Sequence, residues 1–381
     1  MKHLIALLAV VWLAGCTRPA EEPVRGVWIP DPSFTDMMHT HERLVDDLDR
    51  LHRTGINTLF VCAYARTATI FPSRVYLENS TFRELDSCYM LAPYRSTYGG
   101  AEGRFDPLRD LIDEAHARHM KVILWFEYGF MGSHGATPAD HPLLARHPEW
   151  ASRASDGGQA NYNGTDYYLN GYHPGFQEFM LRLIDEALTM YPDVDGIQGD
   201  DRMPAMPRNS GYDDFTAARY REQTGKTPPA DCNDAEWVRW RLDQLNDFAR
   251  RLHERVKSRG DYAVCFSPNP YPWCAENLMQ EYPAWVKEGL VDLLSVQCYR
   301  FDTEAYASTL DGVRASLEGC DVPLNPGIIL KVGQRVIDPE VLERELELNR
   351  QAGILGESFF YNEGLFDERI ARVIGRSYGR P

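Results

Sequence analysis

Two hydrophobic periods take turns eight times along this chain. Short, near-continuous apolar runs predict strands at Val24–Ile29, Asn57–Tyr64, Lys121–Tyr128, Val194–Asp200, Tyr262–Ser267, Val291–Tyr299, Val322–Leu330 and Gly356–Asn362. Runs that are apolar at successive positions suit strands covered on both faces. Between them the spacing lengthens to that of a helix. His41–Arg53 carries Leu44, Val45, Leu48 and Leu51 on one side, and Gly55 follows as a stop. Pro107–His119 repeats the pattern with Leu108, Leu111, Ile112 and Ala115. Helices are likewise predicted at Gly175–Met190, Asp234–Ser258, Ala275–Glu288, Thr303–Leu317, Pro339–Ala352 and Asp367–Tyr378. Strand and helix alternating in units of about 30 to 45 residues predict an α/β fold, a (β/α)8 TIM barrel. An open doubly wound sheet is the alternative.

Three long insertions break the rhythm, at 66–104, 129–172 and 202–232. They follow the second, third and fourth predicted strands, on the face where barrel enzymes build their pockets. Tyr64, Tyr94, Tyr98, Tyr128, Phe130, Trp150, Tyr162, Tyr167, Tyr168 and Tyr172 lie in or beside the first two. Taken singly, each aromatic is expected to pack its own loop. Together with polar neighbours they suit a sugar cleft, because aromatic faces take the apolar faces of pyranose rings.

The first residues carry a different pattern. Lys2 precedes an apolar run, Leu4 to Leu13, that is too short to span a bilayer. It ends in Leu13-Ala14-Gly15-Cys16, which resembles a bacterial lipobox. Residues 1–15 are expected to be a lipoprotein signal peptide, Cys16 the lipidated residue, 16–23 a polar tether and 24–381 the barrel domain. An ordinary secretory signal with a chance cysteine is the alternative. The lipoprotein reading places the protein at the cell envelope, on the outer membrane or the periplasmic face in a Gram-negative cell, anchored by lipid rather than embedded.

Charge narrows the partners. The formal net charge is −16, and loss of Lys2 makes it −17. Such acidity argues against nucleic acid or an anionic membrane surface as the main partner and suits a neutral or cationic substrate. Of eight cysteines, seven remain if Cys16 carries lipid, an odd number that precludes complete pairing. Cys62, Cys265 and Cys298 fall inside predicted strands and read as small buried hydrophobes. No CxxC or HExxH spacing, phosphate loop or nucleophile elbow occurs, so neither a metal nor a cofactor is expected. Nothing in the sequence sets the oligomeric state.

The candidate chemistry centres on Val194-Asp195-Gly196-Ile197-Gln198-Gly199-Asp200-Asp201-Arg202. Alternation along a strand sends Gly196, Gln198 and Asp200 one way, and Ile197 and Asp201 the other. Acetal hydrolysis needs two carboxyl groups, one donating a proton and one acting as base or nucleophile. Asp200 is the expected nucleophile or base. Glu127 is the expected acid, because it shares strand parity with Trp125, whose ring would desolvate it. Asp201 and Glu363 stand in reserve, with Asp302 behind them. A cap or a salt bridge to Arg202 or Arg66 is the plainer role for Asp201. Trp125, Tyr128, Arg66, Gln198, Asn269, Gln297, Tyr299 and Asp302 are the expected substrate-binding residues; a core role is the plainer one for Gln297 and Tyr299.

Several blocks, in order along the chain, carry a family resemblance. Arg25-Gly26-Val27-Trp28, Asn57-Thr58-Leu59-Phe60 and Phe71-Pro72-Ser73 open it. Trp125-Phe126-Glu127-Tyr128-Gly129-Phe130-Met131, His147-Pro148-Glu149-Trp150 and Val194 to Asp201 continue it. Ser267-Pro268-Asn269-Pro270, Val296-Gln297-Cys298-Tyr299-Arg300 and Ser358-Phe359-Phe360-Tyr361-Asn362-Glu363 complete it. The chain resembles the family-ten-like glycosyl hydrolases, which include lipoproteins acting on peptide-free peptidoglycan strands. That group is similar to the amylase-like and α-galactosidase-like barrels, in which an aspartate ending the fourth strand is the nucleophile; Asp200 takes that position. Two departures stand out. Arg202-Met203-Pro204 follows the aspartate pair where the family usually has an aromatic or His, and Gly199 replaces a bulkier residue. The fifth strand, ending Phe266-Ser267-Pro268-Asn269, lacks the amylase-type acid.

The resemblance and the rim residues together imply a glycoside hydrolase acting on a polysaccharide or glycan strand. A carbohydrate-binding lipoprotein with the same cleft and no turnover is the main alternative, and an envelope scaffold a weaker one.

Overall fold

The structure, a computed structural model, describes residues 22–100, 103–134 and 140–379. The expected signal peptide, Cys16 and most of the tether lie outside the described residues. Eight parallel strands form one sheet. In chain order they are β1 (Arg25–Ile29), β2 (Thr58–Cys62), β3 (Lys121–Trp125), β4 (Gly196–Asp200), β5 (Ala263–Ser267), β6 (Leu293–Leu294), β7 (Gly327–Ile329) and β8 (Glu357–Phe360). Their order in space is β6-β5-β4-β3-β2-β1-β8-β7. The two ends meet through parallel bridges, Leu294 to Leu324 and Gln297 to Gly327. Backbone bonds sew this seam, from Leu294 N–H to Pro323 O at 3.0 Å and from Gly327 N–H to Val296 O at 2.8 Å. The fold is a TIM barrel, as the alternation predicts.

Each strand is followed by a helix that covers it: α1 (His41–Arg53), α2 (Pro107–Ala117), α3 (Pro174–Met190), α4 (Ala235–Lys257), α5 (Tyr282–Lys287), α6 (Thr303–Ser316), α7 (Pro339–Gln351) and α8 (Glu368–Ser377). Polar side chains that accept from the first turn start most of them: Thr40, Asp106, Asp234, Asp302, Asp338 and Asp367. The expected helix 275–288 is two, Trp273–Leu278 and α5, because Met279 takes a left-handed φ of 49° between them. The seventh strand is shorter than expected. Pro323 and Pro326 have no N–H to donate, so its ladder starts only after Pro326.

The insertion after β3 builds a three-stranded antiparallel sheet of Met131–His134, Asn161–Tyr162 and Asp166–Tyr168. The insertion after β4 contains a helix, Asp214–Thr224. Most of the loop aromatics serve these structures. Tyr64, Tyr98, Tyr128, Phe130, Trp150, Tyr168 and Tyr172 are buried, and only Tyr94, Tyr162 and Tyr167 are half-buried. Trp150, for example, stacks on His147 at 3.9 Å and packs against Phe176 at 5.4 Å. The loop rings mainly hold the rim in shape.

All seven described cysteines are free thiols, and no described group of His, Cys, Asp and Glu is arranged to hold a metal. No described helix is long and apolar enough to cross a membrane.

Candidate active site

The C-terminal ends of β1 to β6 converge on a small charged cluster. Its floor is aromatic. Trp28 stacks on Phe60 at 5.4 Å and meets Trp125, Tyr299 and Phe360 edge-on at 6.5, 6.3 and 6.2 Å. Trp28 Nε1 donates to Gln198 Oε1 at 2.7 Å, which leaves the Gln198 amide nitrogen buried without a partner.

Asp200 ends β4 and is fully buried. Its Oδ2 accepts from Trp125 Nε1 at 3.0 Å, and its Oδ1 accepts from the Arg202 amide at 2.9 Å. Its carbonyl accepts from Gln280 Nε2 at 2.7 Å, which pins the end of the strand. Asp201 does not turn away as strand alternation predicts. It lies past the last ladder residue, where the parity rule no longer applies, and its carboxylate returns to the mouth. There Asn269 Nδ2 donates to Oδ2 and Gln297 Nε2 to Oδ1, each at 3.1 Å. The Arg202 guanidinium joins the two acids, with Nη1 at 3.5 Å from Asp200 Oδ2 and 3.4 Å from Asp201 Oδ1. It also lies over the Tyr128 ring at 5.8 Å.

Two glycines admit this turn. Gly129 has a φ of +47°, and a Cβ there would stand 2.4 Å from Met203 Cβ and 2.6 Å from Arg202 O. A Cβ on Gly199 would stand 2.3 Å from Met203 O. Contacts that short do not occur between real atoms, so glycine is required at both places. The departure at Gly199 and the departure at Arg202 are thus one feature: the missing side chain makes room for the turn that carries the arginine.

Glu127 sits two residues past β3, partly exposed, with an Oε2 that is buried and accepts no hydrogen bond. Burial raises its pKa to about 7; Arg202 opposes the rise and Asp31 adds to it. Burial, then the charge of Asp201, also raises Asp200 well above the ordinary carboxylate range, while Arg202 and its amide pull the other way. Glu127 and Asp200 thus both resist ionisation in a poorly solvated site, and Arg202 opposes the rise at each. The Trp125 indole N–H and the Arg202 amide both donate to Asp200, which favours its anion. Glu127 Oε2 is buried without a donor, and burial outweighs both Arg202 and the Cys62 thiol in raising its pKa.

Arg66 and Asp31 flank this group. Arg66, half exposed, places Nη2 3.8 Å from Asp31 Oδ2 and Nε 3.4 Å from the Tyr128 hydroxyl. Asp31 Oδ2 is buried and accepts no hydrogen bond. Tyr299 lies in the floor, its pKa raised far by burial and then by Asp201 and Asp200. The barrel therefore brings Asp200, Asp201, Glu127, Trp125, Tyr128, Arg66, Gln198, Asn269, Gln297 and Tyr299 to one mouth. Two candidates stand apart. Glu363 accepts from Thr35 Oγ1 at 3.2 Å. Asp302 is an exposed helix cap that accepts from the Ala305 amide at 2.8 Å. Neither joins the network around Arg202, and Asp302 has the bland role its sequence position, just before a helix, already permits. Sequence reasoning passed over Gln280 altogether, and over Arg202 as anything but a partner for Asp201. No local signal marks Gln280, which meets the Asp200 carbonyl from 80 positions away, and Arg202 showed only as a departure from the family pattern.

The profile of the glycosyl hydrolase-like 10 family matches residues 23–338. The chain belongs to that family. It is similar to glycosyl hydrolase YngK of Bacillus subtilis strain 168, with 23% identity over 387 residues, covering 90% of this chain and 68% of that protein. It is also similar to glycosyl hydrolase DigH of Escherichia coli K12, with 24% identity over 316 residues, covering 76% of this chain and 64% of the relative. The chain thus spans about two thirds of the length of each. Among solved structures, the PgaB (BpsB) glycoside hydrolase domain from Bordetella bronchiseptica superposes with a TM-score of 0.62 at 14% identity, covering 93% of this chain and 98% of that one. The catalytic domain of a Paenibacillus polymyxa β-amylase gives 0.61 at 10% identity, covering 93% and 97%. These likenesses establish the fold, that of TIM-barrel glycoside hydrolases. Family and fold place the chain among proteins that hydrolyse or bind glycans.

Proposed function

We propose that this protein hydrolyses glycosidic bonds in a polysaccharide or glycan strand of the bacterial cell envelope, peptide-free peptidoglycan among the candidates. Glu127 is the proton donor and Asp200 the nucleophile or base. The observation that carries the reading is the contrast between the two acids. One has a buried oxygen without a donor and a pKa near neutrality; the other is held by an indole N–H, an amide and a guanidinium. Burial raises both pKa values, and the donors on Asp200 favour its anion while Glu127 Oε2 has none, a division that suits nucleophile and general acid. Glu127 delivers its proton to the departing glycosidic oxygen, and the anion at Asp200 meets the charge that develops at the anomeric carbon. Arg202 orients the aspartate pair and opposes the rise in the Asp200 pKa.

The test is release of reducing ends from peptide-free peptidoglycan strands and from β-1,4-linked N-acetylglucosamine oligomers. Asp200→Asn and Asp201→Asn serve as paired controls. If Asp200→Asn cleaves as fast as the wild type, Asp200 does not take part in the reaction.

One observation favours a second reading. Asp200 has no exposed surface, and a nucleophile must reach its carbon. A carbohydrate-binding protein with the same cleft and no turnover accommodates that burial. Calorimetry that finds affinity for the strands, together with no product after prolonged incubation, decides for binding. The envelope location rests on Leu13-Ala14-Gly15-Cys16. Cys16→Ser should move the protein from the membrane fraction to the soluble one, and unchanged fractionation would remove the lipid anchor from the proposal.

A further inference from the structure

Among the described residues, two large aromatic side chains are exposed, Phe34 at 53% and Trp273 at 37%. They do not lie at random. Phe34 is in the loop after β1 and Trp273 in the loop after β5. Those strands are four apart in a ring of eight, so the two rings stand on opposite sides of the mouth, with the acids between them.

Trp273 is fixed more firmly than an exposed loop residue needs to be. Its ring meets Tyr162 edge-on at 5.5 Å, and Tyr162 comes from the insertion after β3. The short helix that it starts is bonded to the insertion after β4, through Arg208 N–H to Asn277 O at 2.9 Å and Met206 N–H to Leu278 O at 2.9 Å. The next residue, Cys274, donates its thiol to Gln280 O at 3.1 Å, and Gln280 in turn holds the Asp200 carbonyl. Four residues upstream, Asn269 holds Asp201. Tyr162 therefore packs on the indole, and the segment that carries Trp273 is bonded to the insertion after β4 and to both aspartates. Water gains nothing from an indole held still at its boundary, and leaving so large an apolar face exposed costs stability.

The geometry points to Trp273, backed by Tyr162, as a stacking subsite for a pyranose ring one or more sugars away from the bond that is cut. Phe34 marks the far end of the same path, so that the glycan crosses the mouth along the β1–β5 diameter. The occupant is a sugar chain for two reasons. Hydrogen bonds tie the loop that carries Trp273 to both aspartates, and the Trp273–Tyr162 pair offers an aromatic face, which takes the apolar face of a sugar ring. This inference rests on the glycan-acting reading above, and it names a position that none of the acid residues occupies.

The test uses the length of the substrate. β-1,4-linked N-acetylglucosamine oligomers of two to six sugars and peptide-free peptidoglycan strands are offered to the wild type, Trp273→Ala, Trp273→Phe and Tyr162→Ala, with melting temperatures as a control for folding. Trp273→Ala should lower kcat/KM on the longest substrate that is cleaved by about tenfold, an ordinary value for one lost stacked ring, while leaving the shortest cleaved substrate unchanged. Trp273→Phe should recover part of the loss. An equal loss at every length, or none at any length, overturns the subsite. If the wild type cleaves none of these glycans, the same variants are compared for strand affinity by calorimetry. A tenfold weaker Trp273→Ala then keeps the subsite and refutes hydrolysis of these strands. Equal affinities, or no binding by the wild type, refute the subsite.

Discussion

Glu345 offers the clearest measurement that needs no substrate. It lies on the face of α7 that carries Leu342, Leu346 and Asn349 toward the barrel. It is fully buried, and neither carboxyl oxygen has a hydrogen-bond partner. Burial, and then the charge of Asp302, raises its pKa from 4.5 to about 9. The sign follows from linkage. Below pH 4.5 the group is protonated in both states. Between there and pH 9 the unfolded chain releases the proton while the folded chain keeps it, so stability falls as pH rises, by about 1.4 kcal/mol per pH unit. The cost is about 3 kcal/mol at pH 7 and levels off at about 6 kcal/mol above pH 9. Glu345→Gln keeps the shape and cannot ionise. Its stability relative to the wild type should therefore rise steadily from pH 5 to pH 8. Unfolding entropy for a chain of this size is about 0.8 kcal/mol per kelvin, so the gain at pH 7 is about 4 °C in melting temperature. The assay is thermal unfolding of both proteins across that range. Melting curves whose separation stays constant from pH 5 to pH 8 would refute the buried, protonated glutamate.

The remaining predictions concern the mouth. With Glu127 as acid and a pKa of about 7, kcat/KM should fall as pH rises above about 7, and Glu127→Gln should lose that limb along with about 100- to 10,000-fold in rate; an unshifted limb in the variant assigns the titration elsewhere. Arg202→Met should move the alkaline limb upward, because the charge that lowers the Glu127 pKa is gone, and should cost about 3–5 kcal/mol in chemical unfolding by leaving Asp200 buried without its cation. A limb that stays in place removes Arg202 from the electrostatics of the acid. Gly129→Ala should destabilise by more than about 1 kcal/mol and lower activity with it, since the new methyl meets Arg202 O and Met203 Cβ in a backbone region that disfavours side chains. Normal melting and activity would mean that the turn carrying Arg202 is free to shift.

Much of the molecule is written in local pattern. Eight apolar runs and eight helical periods sufficed for the barrel, because alternation and the choice between a period of two and one of 3.6 are properties of neighbouring residues. Apolar spacing placed the helices to within a few residues, and the capping Thr40, Asp106 and Asp302 sit directly before three of them. Where the pattern misled, a backbone detail intervened, as at Met279, which breaks a helix, and at the prolines that shorten β7. Asp200 at the mouth was legible because it still belongs to a strand.

Its neighbour was not. Asp201 falls one residue beyond the ladder, and what turns it inward is Asn269, 68 positions away, and Gln297, 96 positions away. The pKa of Glu127 likewise depends on Arg202, which reaches the site only because two glycines, Gly129 and Gly199, leave space for its turn. Period and capping are decided within a few residues of chain, and the sequence alone determined them. Charge, burial and the direction of a side chain past the end of a strand are sums over residues that only folding brings together, and these the tertiary structure decided.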